Sequence, residues 1–113
     1  MLQFYCYKIA YFLHRCIYTH SKPVVITGST KVLTESDFDG TANLTNAIKQ
    51  IANPESVKYG YGVTINFAGK IHSPIYVTKE HSFAIDPFTS GNYGVIGNQF
   101  KLIVKILAYI LLK

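Results

Sequence analysis

The order of elements along residues 23–79 predicts an α/β fold built around a partial parallel sheet. Three observations carry this. A short β-branched run, Val24-Val25-Ile26-Thr27, ends at Gly28 and has the character of a buried strand. An amphipathic helical pattern follows, with Leu44, Ala47, Ile48 and Ile51 at the i, i+3, i+4, i+7 spacing of one face. A second strand pattern then runs through Val63, Ile65 and Phe67. Strand, helix, strand is the unit whose crossover makes neighbouring strands parallel.

The chain has 113 residues, enough for one domain. Its composition is 49% apolar and 15% charged, which favours a folded core over disorder. The net charge is +5, but the lysines are dispersed and Arg15 is the sole arginine. Nothing here forms the clustered basic stripe that a phosphate backbone requires, so no nucleic-acid partner is expected.

The first twenty residues are rich in aromatics, and residues 9–14 have a helical character. Apolar positions run nearly all round that segment, which predicts a helix covered by other structure. Lys8, His14 and Arg15 interrupt it, so it resembles neither a signal peptide nor a membrane span. Cys6 and Cys16 would sit about 15 Å apart on a continuous helix, too far to pair with each other. Compartment cannot be read from them, and a cytoplasmic location is the default.

Pro23 ends that helix and turns the chain into the first strand. The loop Gly28-Ser29-Thr30-Lys31 falls at the carboxyl end of the strand, where open α/β sheets hold ligands. Asp39 and Gly40 predict a helix start with the Asp39 side chain as N-cap, and Asn53-Pro54 predicts its stop. Asn43-Leu44-Thr45 matches a glycosylation acceptor, an accidental one if it lies within a packed helix. Gly60-Tyr61-Gly62 and Ala68-Gly69-Lys70 are expected turns on either side of the second strand. Residues 74–79 are expected to form a short third strand or hairpin arm, and 83–97 a turn-rich stretch. Residues 100–112 are strongly apolar but too few to span a bilayer. An interfacial segment there gives an alternative reading, a small basic protein that associates with membrane surfaces through its apolar ends.

The chemistry on offer is sparse. His14, His20, His72 and His81 lack paired ligand spacing, and no zinc pattern, phosphate loop or nucleophile elbow is present. No metal or other cofactor is expected.

Spelling and order together say more. Ala10-Tyr11-Phe12-Leu13, Lys22-Pro23-Val24-Val25-Ile26 with Gly28, and Asp39-Gly40-Thr41-Ala42-Asn43-Leu44-Thr45-Asn46-Ala47 come in sequence. Gly62 to Asn66, Ile71-His72-Ser73, Val77-Thr78-Lys79, Phe88-Thr89-Ser90 and Asn92-Tyr93-Gly94-Val95-Ile96-Gly97 follow. This collinear series resembles the bacterial L-asparaginase family, type II-like members in particular, over residues 9–97, with divergent ends at 1–8 and 98–113. The resemblance implies a central fragment of a flavodoxin-like N-terminal domain and an amidohydrolase activity that releases ammonia from L-asparagine. Type II members are often periplasmic. In that family a threonine of a T-G-G-T loop is the nucleophile, and a Thr-Asp pair in H-G-T-D-T works with the lysine of V-T-K. By position Lys79 resembles that lysine, and Ser29 falls where the alanine of G-A-M meets the substrate.

The departures are equally specific. Neither T-G-G-T nor H-G-T-D-T occurs in these residues, Lys31-Val32 replaces Arg-Pro, and Ile75-Tyr76 replaces the R-D before V-T-K. The family's C-terminal domain, which completes the site of a neighbouring subunit, is not among these residues either. A truncated or degraded gene, no turnover by this polypeptide alone, assembly with other asparaginase fragments or subunits, and marginal stability are the expectations that follow.

Overall fold

A pair of parallel strands opens the sheet of the computed structural model, which describes residues 3–17, 22–58, 62–81 and 84–98. Strand β1 (Val24–Ile26) pairs in parallel with β2 (Val63–Phe67), with Val24 opposite Val63 and Ile26 opposite Ile65. Between them run helix α2 (Gly40–Ala52) and the short helix α3 (Pro54–Lys58), so the strand–helix–strand unit is present as expected. Helix α1 (Gln3–Cys16) precedes the unit.

The rest of the sheet is antiparallel. Phe67 and Lys70 flank a tight turn in which Ala68 (φ 53°) and Gly69 (φ 75°) both take the left-handed conformation favoured in two-residue hairpins. That turn sends β3 (Lys70–His72) back along β2, with Ile65 opposite His72. The expected turn therefore ends one residue early, and the strand begins at Lys70. Residues 74–76 form a turn, where a strand was expected. Pro74 has no N–H to give to a ladder, and the backbone N–H groups of Tyr76 and Val77 donate to the Ser73 carbonyl. What remains of the expected third strand is β4 (Thr78–Lys79), which pairs with β5 (Phe88–Thr89) in a separate two-stranded sheet. A single 3-10 turn (Gly91–Tyr93) leads to β6 (Gly97–Asn98). The larger sheet has the order β1-β2-β3-β6, mixed in sense, with β1 at one edge.

Strand β2 is buried along its whole length, because a helix covers each face. On one face Val63, Ile65 and Phe67 pack with Ala10 of α1 and with Val77 and Phe88. The rings of Phe67 and Phe88 meet edge-on at 5.1 Å. The all-round apolar pattern of α1 is not all buried, however. Ala10 and His14 are enclosed, whereas Ile9, Tyr11 and Phe12 lie at the surface.

Helix α2 covers the opposite face of the sheet, and of the predicted apolar stripe only Ala47 is buried there. Leu44, Ile48 and Ile51 are 56%, 57% and 47% exposed, whereas Asn43, Ala47 and Gln50 are buried. The cause lies in what β2 presents there. Thr64 and Asn66 point towards α2, and Gln50 donates to the Thr64 hydroxyl at 2.8 Å and accepts from Asn66 Nδ2 at 3.0 Å. Turning the apolar stripe inward would strand those groups without partners, at roughly 1–3 kcal/mol each. After α2, Asn53 Oδ1 accepts from the Glu55 N–H, and Pro54 occupies the first position of α3, where it loses no helical bond.

Candidate functional site

The carboxyl ends of β1 and β2 lie side by side, and the loop of residues 28–31 follows β1 there. Its position is fixed from α2. The Asp39 carboxylate accepts from the backbone N–H groups of Thr30 (3.0 Å) and Lys31 (3.0 Å). Asp39 does stand at the N-cap position of α2, but its side chain makes no capping bond to the helix. Its carboxylate is turned to the loop instead, where two N–H groups would otherwise lack acceptors.

One helical turn on, Asn43 is 2% exposed and uses both ends of its amide. Its Nδ2 donates to the Gly28 carbonyl at 2.8 Å and to Asp39 Oδ2 at 3.3 Å, and its Oδ1 accepts from the Ala68 N–H at 3.1 Å. A single side chain thus ties the end of β1 to the left-handed turn that ends β2. Residues at i and i+4 share a helix face, which is why this geometry needs an acid and an amide four apart. Gly28 sits against Phe67, whose ring would lie 3.7 Å from an added Cβ.

Ser29 is half-buried within this clamped loop. On either side of it the hydroxyls of Thr27 and Thr30 are shielded from solvent and have no hydrogen-bond partner among the described residues. The loop therefore offers hydroxyl groups and oriented backbone at a sheet edge, a setting suited to holding a small polar ligand.

Lys79 lies on β4 opposite Phe88, with its Nζ buried. Glu80 follows it and donates its N–H to the Pro87 carbonyl at 2.8 Å. Ser29 lies in the loop that follows β1 of the larger sheet and Lys79 in the smaller sheet, and α1 packs on both β2 and β4.

A second buried polar centre lies next to β5. His72 Nδ1 and Ser90 Oγ are 2.7 Å apart, and the imidazole tilts against Phe88. Burial pushes the His72 pKa down to about 4; the Asp86 carboxylate opposes that shift and the Lys70 ammonium adds to it. Lys70 and Asp86 form an ion pair beside it, partly exposed. The imidazole is neutral at pH 7 and, with its Nε2 buried too, is packed as a structural group. No group of three or more His, Cys, Asp or Glu side chains among the described residues could hold a metal ion. Cys16 is an exposed free thiol. No described helix is long and apolar enough to cross a membrane, and residues 100–112 lie outside the described residues.

The Asp39–Asn43 clamp and the His72–Ser90 bond were not foreseen as parts of a site. The first had a signal, an acid and an amide four residues apart at a helix start. The second joins residues eighteen apart in a turn-rich stretch and had none.

Residues 8–108 match the family described as asparaginase, N-terminal. Over 90 residues the chain is 40% identical to L-asparaginase 2 of Bacillus subtilis, covering 80% of this chain and 23% of that protein. It is 39% identical over 90 residues to a probable L-asparaginase of Deinococcus radiodurans, covering 80% of this chain and 27% of the relative. The crystal structure of a probable cytoplasmic L-asparaginase from Campylobacter jejuni superposes with a TM-score of 0.78 at 33% identity, covering 88% of this chain and 30% of that one. The chain spans about a quarter of the length of these curated relatives.

Proposed function

The chain belongs to the asparaginase family, and we propose on that premise that residues 9–97 are a central part of an L-asparaginase-like amidohydrolase domain that does not hydrolyse asparagine by itself. The observation that carries the reading is the clamped 28–31 loop at the carboxyl ends of two parallel strands. Asp39 and Asn43, which hold it, are the D and first N of the stretch that resembles D-G-x-x-N-L-x-N-A. Ser29 within that loop is the substrate-contacting residue. Lys79 is the residual member of the catalytic group, its ammonium serving to ease removal of a hydroxyl proton.

Hydrolysis of asparagine adds water across the side-chain amide and yields aspartate and ammonia. The hydroxyl that attacks and the carboxylate that works with the lysine come, in the family, from loops that these residues do not contain. Without a nucleophile, a lysine and a binding loop supply polarisation and contact only. A separately supplied asparaginase portion could provide both groups in trans. The membrane-surface alternative finds no support among the relatives.

Ammonia release from asparagine tests the reading. The purified chain is expected to give the uncatalysed rate. Mixing it with a family fragment that carries T-G-G-T and H-G-T-D-T, followed by co-purification, tests assembly, and any activity gained is expected to vanish with Lys79→Met. Turnover by the chain alone near that of an intact family enzyme overturns the proposal.

A further inference from the structure

A cavity of about 230 Å³ opens between α1 and the turn before β4. Tyr7, Lys8 and Tyr11 form one wall, and Pro74, Ile75 and Val77 form the other. We infer that this cavity is a binding site for a small aromatic monocarboxylate, with the ring between the tyrosines and the proline turn and the carboxylate on Lys8.

Shape and charge both support the assignment. Pro74 and Val77 are buried and give an apolar floor. Tyr7 is held in place by its edge-on contact with Phe88 at 6.3 Å, so that wall is set before a ligand arrives. Tyr11 is 46% exposed, leaving ring surface for stacking, and the Arg15 guanidinium lies 6.0 Å from its centroid. Lys8 is an exposed member of the lining, and its side chain offers three donors. None of the six lining residues is acidic, and neither is any residue of α1. An anion meets attraction from Lys8 and Arg15 and no acidic side chain in the lining, whereas a cation meets the repulsion of both. The volume suits a single ring with one short substituent and excludes a drug-sized ligand.

Titration of the full chain with benzoate and with the neutral isostere benzamide, followed by ligand-observed NMR and by amide shifts of Ile75 and Val77, tests this. Benzoate is expected to bind and to shift both amides, with benzamide weaker by about tenfold, the order expected for a charge-assisted hydrogen bond. Lys8→Gln changes an exposed residue and leaves the fold intact; it is expected to bring benzoate down to the benzamide level. Added salt is expected to weaken benzoate alone. Equal binding of the two ligands, unchanged benzoate affinity in Lys8→Gln, or no shift of the two amides at tens of millimolar each overturns the inference.

Discussion

Asn43 is a buried junction of the fold. Its amide joins Gly28, Asp39 and Ala68, three points that are distant in sequence, in a position closed to water. Replacing it with alanine leaves the Gly28 carbonyl and the Ala68 N–H without these partners, and Asn43→Ala is expected to cost roughly 3 kcal/mol of stability. Urea unfolding measures the loss, and hydrogen exchange at Thr30, Lys31 and Ala68 shows whether the loop is what loosens. A change below about 0.5 kcal/mol, the range of ordinary surface substitutions, would refute the clamp.

His72 is one residue through which pH acts on the fold. Its folded pKa, about 4, lies below the ordinary value of 6.5, so between those limits the unfolded chain binds the extra proton. Its contribution is complete above pH 6.5, is lost as pH falls towards 4, and changes little below that. The full shift corresponds to an order of 3 kcal/mol. Denaturant midpoints of the wild type are expected to fall over that window, and His72→Gln is expected to flatten the fall. An unchanged slope in the variant would place the titrating group elsewhere.

At the scale of elements, α2 departs furthest from its sequence pattern. Its apolar stripe faces outward because Asn43 and Gln50 are committed to the sheet side. Ile48→Lys is accordingly expected to change stability by less than about 0.5 kcal/mol, whereas Gln50→Leu removes partners from Thr64 and Asn66 and is expected to cost about 2 kcal/mol. Thermal melts of the two variants separate these cases, and a large loss for Ile48→Lys would mean that the helix sits the other way round.

The same element shows what a single sequence can and cannot disclose. The ends of β1 and α2 were legible because Pro23, Gly28, Gly40 and Pro54 constrain the backbone locally, and β-branched runs marked β1 and β2 as buried strands. The rotation of α2 was not legible, because it depends on Thr64 and Asn66, residues of a strand more than ten positions away. The return of β3 was hidden for a different reason. Its turn was expected at Ala68-Gly69-Lys70, but the strand itself is three residues, Lys70–His72, too short to show an alternating pattern. For the candidate site, the position of the 28–31 loop followed from strand order, whereas what holds it in place follows only from three-dimensional bonding.

As a whole, the molecule has a small core and a large apolar remainder. One cluster centres on Val63, Ile65, Phe67 and Phe88, and a second on Ile71 and Ile96. Against these stand Ile9, Phe12, Leu44, Ile48 and Ile51 on the outer faces of both covering helices, and β1 at a sheet edge. A fold with an open edge and oily outer surfaces is suited to burial against further structure. Produced alone, the chain is expected to melt broadly and to associate as concentration rises. A sharp, concentration-independent transition in a monomer, followed by circular dichroism and light scattering, would contradict this.

The closure of Asn43 has one more consequence, for a modification that reads sequence and ignores shape. Asn43-Leu44-Thr45 spells an acceptor for N-linked sugar, yet the amide nitrogen that would carry the glycan is the one donating to Gly28 and Asp39. Folding and glycosylation therefore compete for a single atom. A chain that folds first conceals the acceptor, and a chain that is modified first loses the tie between its two parallel strands' ends.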